Sequence, residues 1–388
     1  MRFTMAFSKQ GAALLLAGGA FLALAACGGS SAVPSGSPIG GSAASQLFRA
    51  ATTQASPDDT TSILKKLKKD VVIGTTVDPN NGDMGPHGVA VVRVKYGLKK
   101  GQLAVCNFSN SSGAAGKGTT IELLNPTPGS KPTSFVQSSK IEGCSGDAIS
   151  NNNSVYATGM TSGLLAGFDN KGKLIKTYGA PFVAPFSNVD ASNANLYAAE
   201  YIFGSDVTTG SIVSFSINYY GNPKETQVAT GFGINKKSGW SALGPSGVQY
   251  WPKTDTLYIA DGVDNTVVLF THASELLVKN EIVVKTGGKT FNCLHPATTC
   301  AKLVHAGAPF DAPVAMAILP NGNLIVANTQ GGNKLVELTP SGTILATKVV
   351  DQSQTAGVFG IAARGTSDSN TVLFYTDRND NKLHELEQ

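Results

Sequence analysis

A six-bladed β-propeller, an all-β fold, follows from three observations on this chain of 388 residues. A unit of three short strands recurs six times between residue 85 and the C-terminus. Turn formers are abundant, with 44 Gly and 18 Pro, as frequent tight turns require. The last unit lacks an outer strand, while an unassigned strand-like run lies ahead of the first. A small β unit repeated about every 40–50 residues points to a radial array.

The chain opens on a leader. Arg2 and Lys9 make a short basic start, and residues 11–26 are uncharged and mostly apolar. That run is shorter than the roughly 20 apolar residues of a spanning helix and has the length of a signal-peptide core. It ends in Leu24-Ala25-Ala26-Cys27-Gly28, which resembles the bacterial lipobox. The resemblance implies that residues 1–26 are a lipoprotein signal peptide and that Cys27 becomes the lipidated first residue. Several acyl chains, palmitate among them, anchor stably where one is marginal. It further implies the bacterial cell envelope as location and the lipid bilayer as partner. Gly28 after Cys27, with no Asp there, implies the outer membrane in a Gram-negative cell. Residues 28–45 are rich in Gly, Ser, Ala and Pro and cannot bury a core. Residues 27–60 are therefore expected to be a tether, and 61–388 the propeller.

Composition excludes little else. The chain is 41% hydrophobic and 14% charged, ample for a core. Its formal charge is +4, of which Arg2 and Lys9 supply two, leaving +2. No electrostatic case for nucleic acid exists. A monomer is expected. The basic run Lys65 to Lys69 reads as a solvated turn or helix face before the first strand, or as a contact for anionic lipid.

The repeats follow in order. Unit one has Gly85 to Val91, Leu103 to Asn107 and Thr119 to Leu124. Unit two has Ser145 to Ile149, Val155 to Gly159 and Leu164 to Phe168. Unit three has Pro185 to Ala191, Leu196 to Glu200 and Gly210 to Phe215. Unit four has Gly244 to Val248, Leu257 to Asp261 and Asn265 to Phe270. Unit five has Pro313 to Leu319, Leu324 to Asn328 and Lys334 to Leu338. Unit six has Phe359 to Ala363, Leu373 to Asp377 and Lys382 to Leu386. Fourth strands are expected at Glu281 to Lys285 for unit four and Thr343 to Val349 for unit five. Asp70 to Thr76 is expected to complete unit six, closing the ring and removing an open edge. Residues 107, 159, 200, 261, 328 and 377 mark equivalent second-strand ends, spaced 41 to 67 residues apart. The two longest gaps imply insertions at 219–242 and 289–307.

The pattern of apolar strand, Ala-Asp, polar turn and Val-x-x-Phe resembles the NHL repeat family of six-bladed propellers. Tyr258-Ile259-Ala260-Asp261 through Asn265 to Phe270 carries it best. Units five and six carry it less closely, and units two and three weakly. The whole chain also resembles bacterial secreted propeller lipoproteins, a resemblance that supports the fold and implies no activity.

Four cysteines remain beyond Cys27, an even number that suits export and allows three pairings. Cys293 and Cys300 bracket a short loop without strand pattern. Cys106 ends a second strand and Cys144 opens the next unit, so in a propeller they lie on one face of adjacent blades. Zinc is disfavoured, since only His295 stands near the 293–300 pair.

First-strand starts and second-strand ends share one face around the channel. They bring His87, Asn107, Asp147, Glu200, Asp261, Asn328 and Asp377 toward that rim as ligand candidates. A ring of carboxylates and amides suits Ca²⁺, a hard cation. Gluconolactonase-like propellers use such a set on a divalent ion as Lewis acid, and that resemblance implies Glu200, Asp261 and Asp377 as metal ligands. The plainer reading of Asp261 and Asp377 is capping of the following turn. No catalytic residue is assigned. Asp78 to Asp83 lacks the downstream Glu of a calcium loop. The glycines at 113–118 lack phosphate-loop spacing and its Ser/Thr. No Gly-x-Ser-x-Gly elbow occurs. Two functions are consistent with this pattern. One is a non-catalytic propeller binding a protein or small ligand at the rim. The other is a Ca²⁺-dependent lactonase-like hydrolase.

Overall fold

The computed structural model describes residues 58–192, 194–195, 198–218, 220–235 and 243–388. The leader, Cys27 and the tether as far as residue 57 lie outside the described residues. The described chain forms six antiparallel sheets, one per repeat, arranged as a six-bladed propeller. Short runs rich in Val, Ile, Leu and Phe, split by Gly- and Asn-bearing turns, leave the backbone few alternatives to this meander.

Blade 1 comprises Met84–Val91, Leu103–Ser109, Ala115–Leu124 and Thr133–Gln137. Blade 2 comprises Cys144–Ile149, Val155–Gly159, Leu164–Phe168 and Leu174–Tyr178. Blade 3 has Pro185–Asp190, Ala198–Asp206, Ser211–Asn218 and Pro223–Thr230. Blade 4 has Pro245–Trp251, Thr256–Asp261, Thr266–Thr271 and Ala301–Ala306. Blade 5 runs Pro313–Ile318, Leu324–Asn328, Lys334–Leu338 and Ile344–Val349, and blade 6 Val358–Arg364, Val372–Asp377 and Lys382–Glu387. The closing strand is Lys69–Thr75, paired antiparallel to the last strand from Lys69 opposite Glu387 to Thr75 opposite Lys382.

Two assignments change. The run at 281–285 does not complete blade 4. Ile282–Val284 pairs in parallel with Pro223–Thr230 and then with Phe291–Cys293, widening blade 3 to six strands. Blade 4 takes Ala301–Ala306 as its outer strand instead. The expected insertion at 219–242 contains the fourth strand of blade 3. The second change concerns Glu200. The second strand of blade 3 runs on to Asp206, which faces Pro185 as Asp261 faces Pro245. Asp206 is thus the equivalent of Asn107, Gly159, Asp261, Asn328 and Asp377, and Glu200 lies six residues before it.

Every first strand carries one extra residue near its start, between Pro86 and Val89, Cys144 and Gly146, Pro185 and Asn188, Pro245 and Val248, Pro313 and Ala315, and Val358 and Ile361. Such a bulge bends the strand and re-aims its side chains. Around the axis these strands pack close. A Cβ on Gly360 would meet the His87 carbonyl oxygen at 1.9 Å, so no larger residue fits there.

Both disulfides form, Cys106–Cys144 and Cys293–Cys300, each with Cα atoms 5.2 Å apart. The first ties blade 1 to blade 2. Lys65 to Lys69 form part of an exposed turn around the buried Leu67. Just before it, Glu337 of blade 5 accepts from Ser62 Oγ at 2.5 Å, Ile63 N at 3.0 Å and Leu64 N at 2.9 Å. Ile63, Leu64 and Leu67 are buried in the main core.

Candidate functional site: the central cavity

The expected rim is closed. His87 lies between the rings of Phe108 and Phe359, with centroids 4.1 Å away on each side, and 6.0 Å from Phe186. These rings come from blades 1, 6 and 3, which meet only at the axis. Met160, Val207 and Leu243 belong to the same buried cluster. Burial, and then the Arg378 charge, hold His87 well below its ordinary pKa, so the plug carries a neutral ring. His87 is therefore neither an exposed loop residue nor an accessible rim group.

The other rim residues serve their own loops. Asp206 accepts from the backbone N–H of Val183 at 2.6 Å, Ala184 at 2.8 Å, Thr208 at 3.0 Å and Thr209 at 2.8 Å. Asp261 accepts from Gly233 at 3.1 Å, Val263 at 2.9 Å and Asp264 at 3.2 Å. Burial and the nearby Asp264 charge raise its pKa to about 7. Asp377 accepts from Asn379 N at 2.8 Å, and burial raises it to about 6. Asn107 donates to Thr76 O at 2.8 Å and Thr120 Oγ1 at 3.2 Å, and Asn328 donates to Pro309 O at 3.0 Å. These are loop and seam caps.

Glu200 is half-buried, accepts from Asn152 Nδ2 at 3.4 Å, and is raised by burial. It does not join Asp261 and Asp377. Among the described residues, the only His/Cys/Asp/Glu trio with ligand atoms all within 4.8 Å is Asp377, Asp380 and His384. The donor set Glu200–Asp261–Asp377 therefore does not fit one shared ion. His384 bridges Asp70 at 3.2 Å and Asp380 at 3.1 Å. Burial disfavours its charge, but hydrogen bonds and charge from both partners lift its pKa to about 9.

Asp147 is the exception. It faces the cavity beneath the plug, with about 210 Å³ opening toward the ends of the first strands. Asp147 is 8% exposed, and neither carboxylate oxygen has a partner in another residue. Burial holds its pKa well above the ordinary carboxylate value. Gly88 lies so close that a Cβ there would meet Asp147 Oδ1 at 2.5 Å. Asn188, on the next blade, donates Nδ2 to Tyr156 O at 3.0 Å and leaves Oδ1 unpartnered. Asp147 pairs with Ala157, and Asn188 with Gly204, each two residues before a second-strand end. Val89, Val248, Met316 and Ile361 occupy the same position in the other blades. Polar groups at two of six otherwise apolar positions were the sequence signal for Asn188.

The cavity continues outward past Arg93, Asp190, Gln249 and Trp251. It shares Arg93 and Trp251 with a wider hollow of about 840 Å³. Arg93, Lys100, Lys253 and Arg364 line that hollow, and no acidic side chain does. Arg364 pairs with Glu385 at 3.3 Å, and the Lys253 ammonium lies 4.9 Å from the Trp251 ring centre.

No family model matches the sequence, and no curated protein matches it. Solved structures resemble its fold. A gluconolactonase from Xanthomonas campestris is 11% identical, with a TM-score of 0.54 over 86% of this chain and 95% of that one. The nidogen/laminin complex gives 12% identity and a TM-score of 0.52 over 74% and 87%. Virginiamycin B lyase from Staphylococcus aureus gives 15% identity and a TM-score of 0.50 over 82% and 98%. At these identities the likeness is one of fold, the propeller that the repeats imply.

Proposed function

We propose that this protein is a non-catalytic binding propeller, held at the bacterial cell envelope by lipid on Cys27. It takes a small ligand into the central cavity through the mouth opposite the plug. The observation that carries this reading is Asp147. A buried carboxyl without a partner costs stability, on the order of 1–3 kcal/mol or more. Such a group facing a concave polar pocket is a mark of a binding site. The lipobox resemblance at Leu24 to Gly28 supports the anchor.

The test is thermal melting of the full chain against a panel of polar small molecules. The reading expects at least one compound to raise the melting temperature. That rise should disappear in Asp147→Asn and in Ala363→Trp, which narrows the mouth. Stabilisation that persists in both variants overturns it. So does Ca²⁺-dependent lactone hydrolysis lost in Glu200→Gln and Asp261→Asn. For the anchor, Cys27→Ser is expected to move the protein from the membrane fraction to the soluble one, and unchanged fractionation would refute it.

A further inference from the structure

The cavity is polarised along its depth. At its inner end the atoms without partners are Asp147 Oδ1, Asp147 Oδ2 and Asn188 Oδ1, all acceptors. One N–H of the Asn188 amide is already engaged by Tyr156 O. Three unpartnered oxygens, two of them on a carboxyl that a cation would ionise, are matched by a group that only donates, and the compact group of that kind is an ammonium with three N–H donors. At its outer end the hollow presents Arg93, Lys100, Lys253 and Arg364 without an acidic side chain. Asp190 of the inner cavity stands near Arg93 and offsets part of its charge. Four cations against this one acid still attract an anionic group, and Arg offers a planar fork for a carboxylate.

We propose that the cavity binds a small amino carboxylate, with its ammonium seated between Asp147 and Asn188 Oδ1 and its carboxylate at the Arg93 mouth. The proposal rests on the reading that this cavity is the ligand site, and it specifies the ligand's chemistry. An ammonium beside Asp147 supplies the countercharge that burial alone withholds. The half-buried Trp251 indole stands where the inner cavity meets the hollow, beside the spacer between the two charged ends.

Isothermal titration of the full chain tests this with β-alanine, γ-aminobutyrate and ε-aminocaproate as probes. Butylamine and butyrate serve as one-ended controls. At least one amino carboxylate is expected to bind, and each control about tenfold more weakly or worse. Asp147→Asn should weaken the amino carboxylate about tenfold or more, because it removes the buried ion-pair partner. Arg93→Ala, an exposed change that leaves the core intact, should weaken it severalfold and leave butylamine unchanged. Butyrate binding as tightly as the amino carboxylates, with no response to Asp147→Asn, overturns the ammonium assignment. Silence of all three amino carboxylates overturns this ligand class. A hit from the melting panel that Asp147→Asn abolishes would then still uphold the cavity as a binding site.

Discussion

Thr376 donates its hydroxyl to the carbonyl oxygen of His87 at 2.8 Å, joining the last blade to the first. The Thr376 hydroxyl oxygen in turn accepts from Gly360 N at 2.9 Å. Thr158 does the equivalent for Phe186 O at 2.8 Å, and Ser205 for Ser246 O at 2.6 Å. Between blades 1 and 2 the corresponding residue is Cys106, and a disulfide replaces the hydroxyl. The penultimate residue of a second strand is thus a recurrent clasp to the next blade. Thr376→Val keeps the shape and strips the Gly360 N–H and the His87 carbonyl of this partner. Stability should fall by about 1–3 kcal/mol. Denaturant unfolding should show a lower midpoint at unchanged slope, with Thr376→Ser recovering most of the loss.

Glu337 holds the N-terminal arm against blade 5. Glu337→Ala leaves the Ile63 and Leu64 N–H groups without that acceptor and removes a partner of Asn323, whose Nδ2 lies 3.4 Å from Oε1. A loss of about 2–4 kcal/mol is expected. The amides of 62–64 should exchange faster with solvent deuterium than those of the blades. Exchange at 62–64 equal to the wild type would show that Leu64 and Leu67 hold the arm without the carboxylate.

Glu122 is a buried carboxyl close to a second acid, Asp78. Burial first, then the neighbouring Asp78, raise Glu122 to about 9, while Asp78 is lowered. A raised carboxyl keeps its proton in the folded state after the unfolded chain has released it. Its contribution is full below about 4.5 and is lost as pH rises toward about 9. Stability should therefore fall across that window. Glu122→Gln should flatten the fall by on the order of a few kcal/mol at the alkaline end. A stability–pH curve identical to wild type would contradict the raised carboxyl.

Asp206 caps two loops at once and Glu200 caps none. Asp206→Ala is expected to cost about 2–4 kcal/mol through four lost backbone contacts. Glu200→Ala should stay within about 1 kcal/mol, since Glu200 is half-buried, meets only the side chains of Asn152 and Ser154, and its bond to Asn152 is long. Melting of both variants checks the ranking, and equal losses would restore Glu200 as the structural residue.

That pair also shows where the sequence was readable. Leu196-Tyr197-Ala198-Ala199-Glu200 copies the pattern of Tyr258-Ile259-Ala260-Asp261, so local pattern favoured Glu200. The true end, Ile202-Phe203-Gly204-Ser205-Asp206, replaces the Ala with small polar residues. Turn length held the correct answer. Asp261, Asp377 and Gly159 each precede their third strand by five residues, as Asp206 precedes Ser211. The closing strand was legible because a strand-like run stood without a partner beside a blade short of one. The outer strands of blades 1 to 3 were not, because exposed outer strands alternate weakly, as in Leu174–Tyr178. The strands at 282–284 and 291–293 escaped because three-residue strands carry no period. Asp147 was legible as a rim candidate near the start of a first strand. The polarity of its cavity was not, because Arg93, Asn188 and Trp251 come from three blades and meet only in the folded ring.

The pairing of Lys69–Thr75 with Lys382–Glu387 also sets an order of events. A ribosome makes the closing strand more than three hundred residues before its partner, as the Lys69 to Glu387 separation of 318 records. The first strand waits, and the sixth blade cannot be completed until Lys382–Glu387 emerges. Native closure is therefore a late step that depends on a contact 318 residues apart, the kind that slows folding. A chain made this way stays unlatched until its last blade has been made.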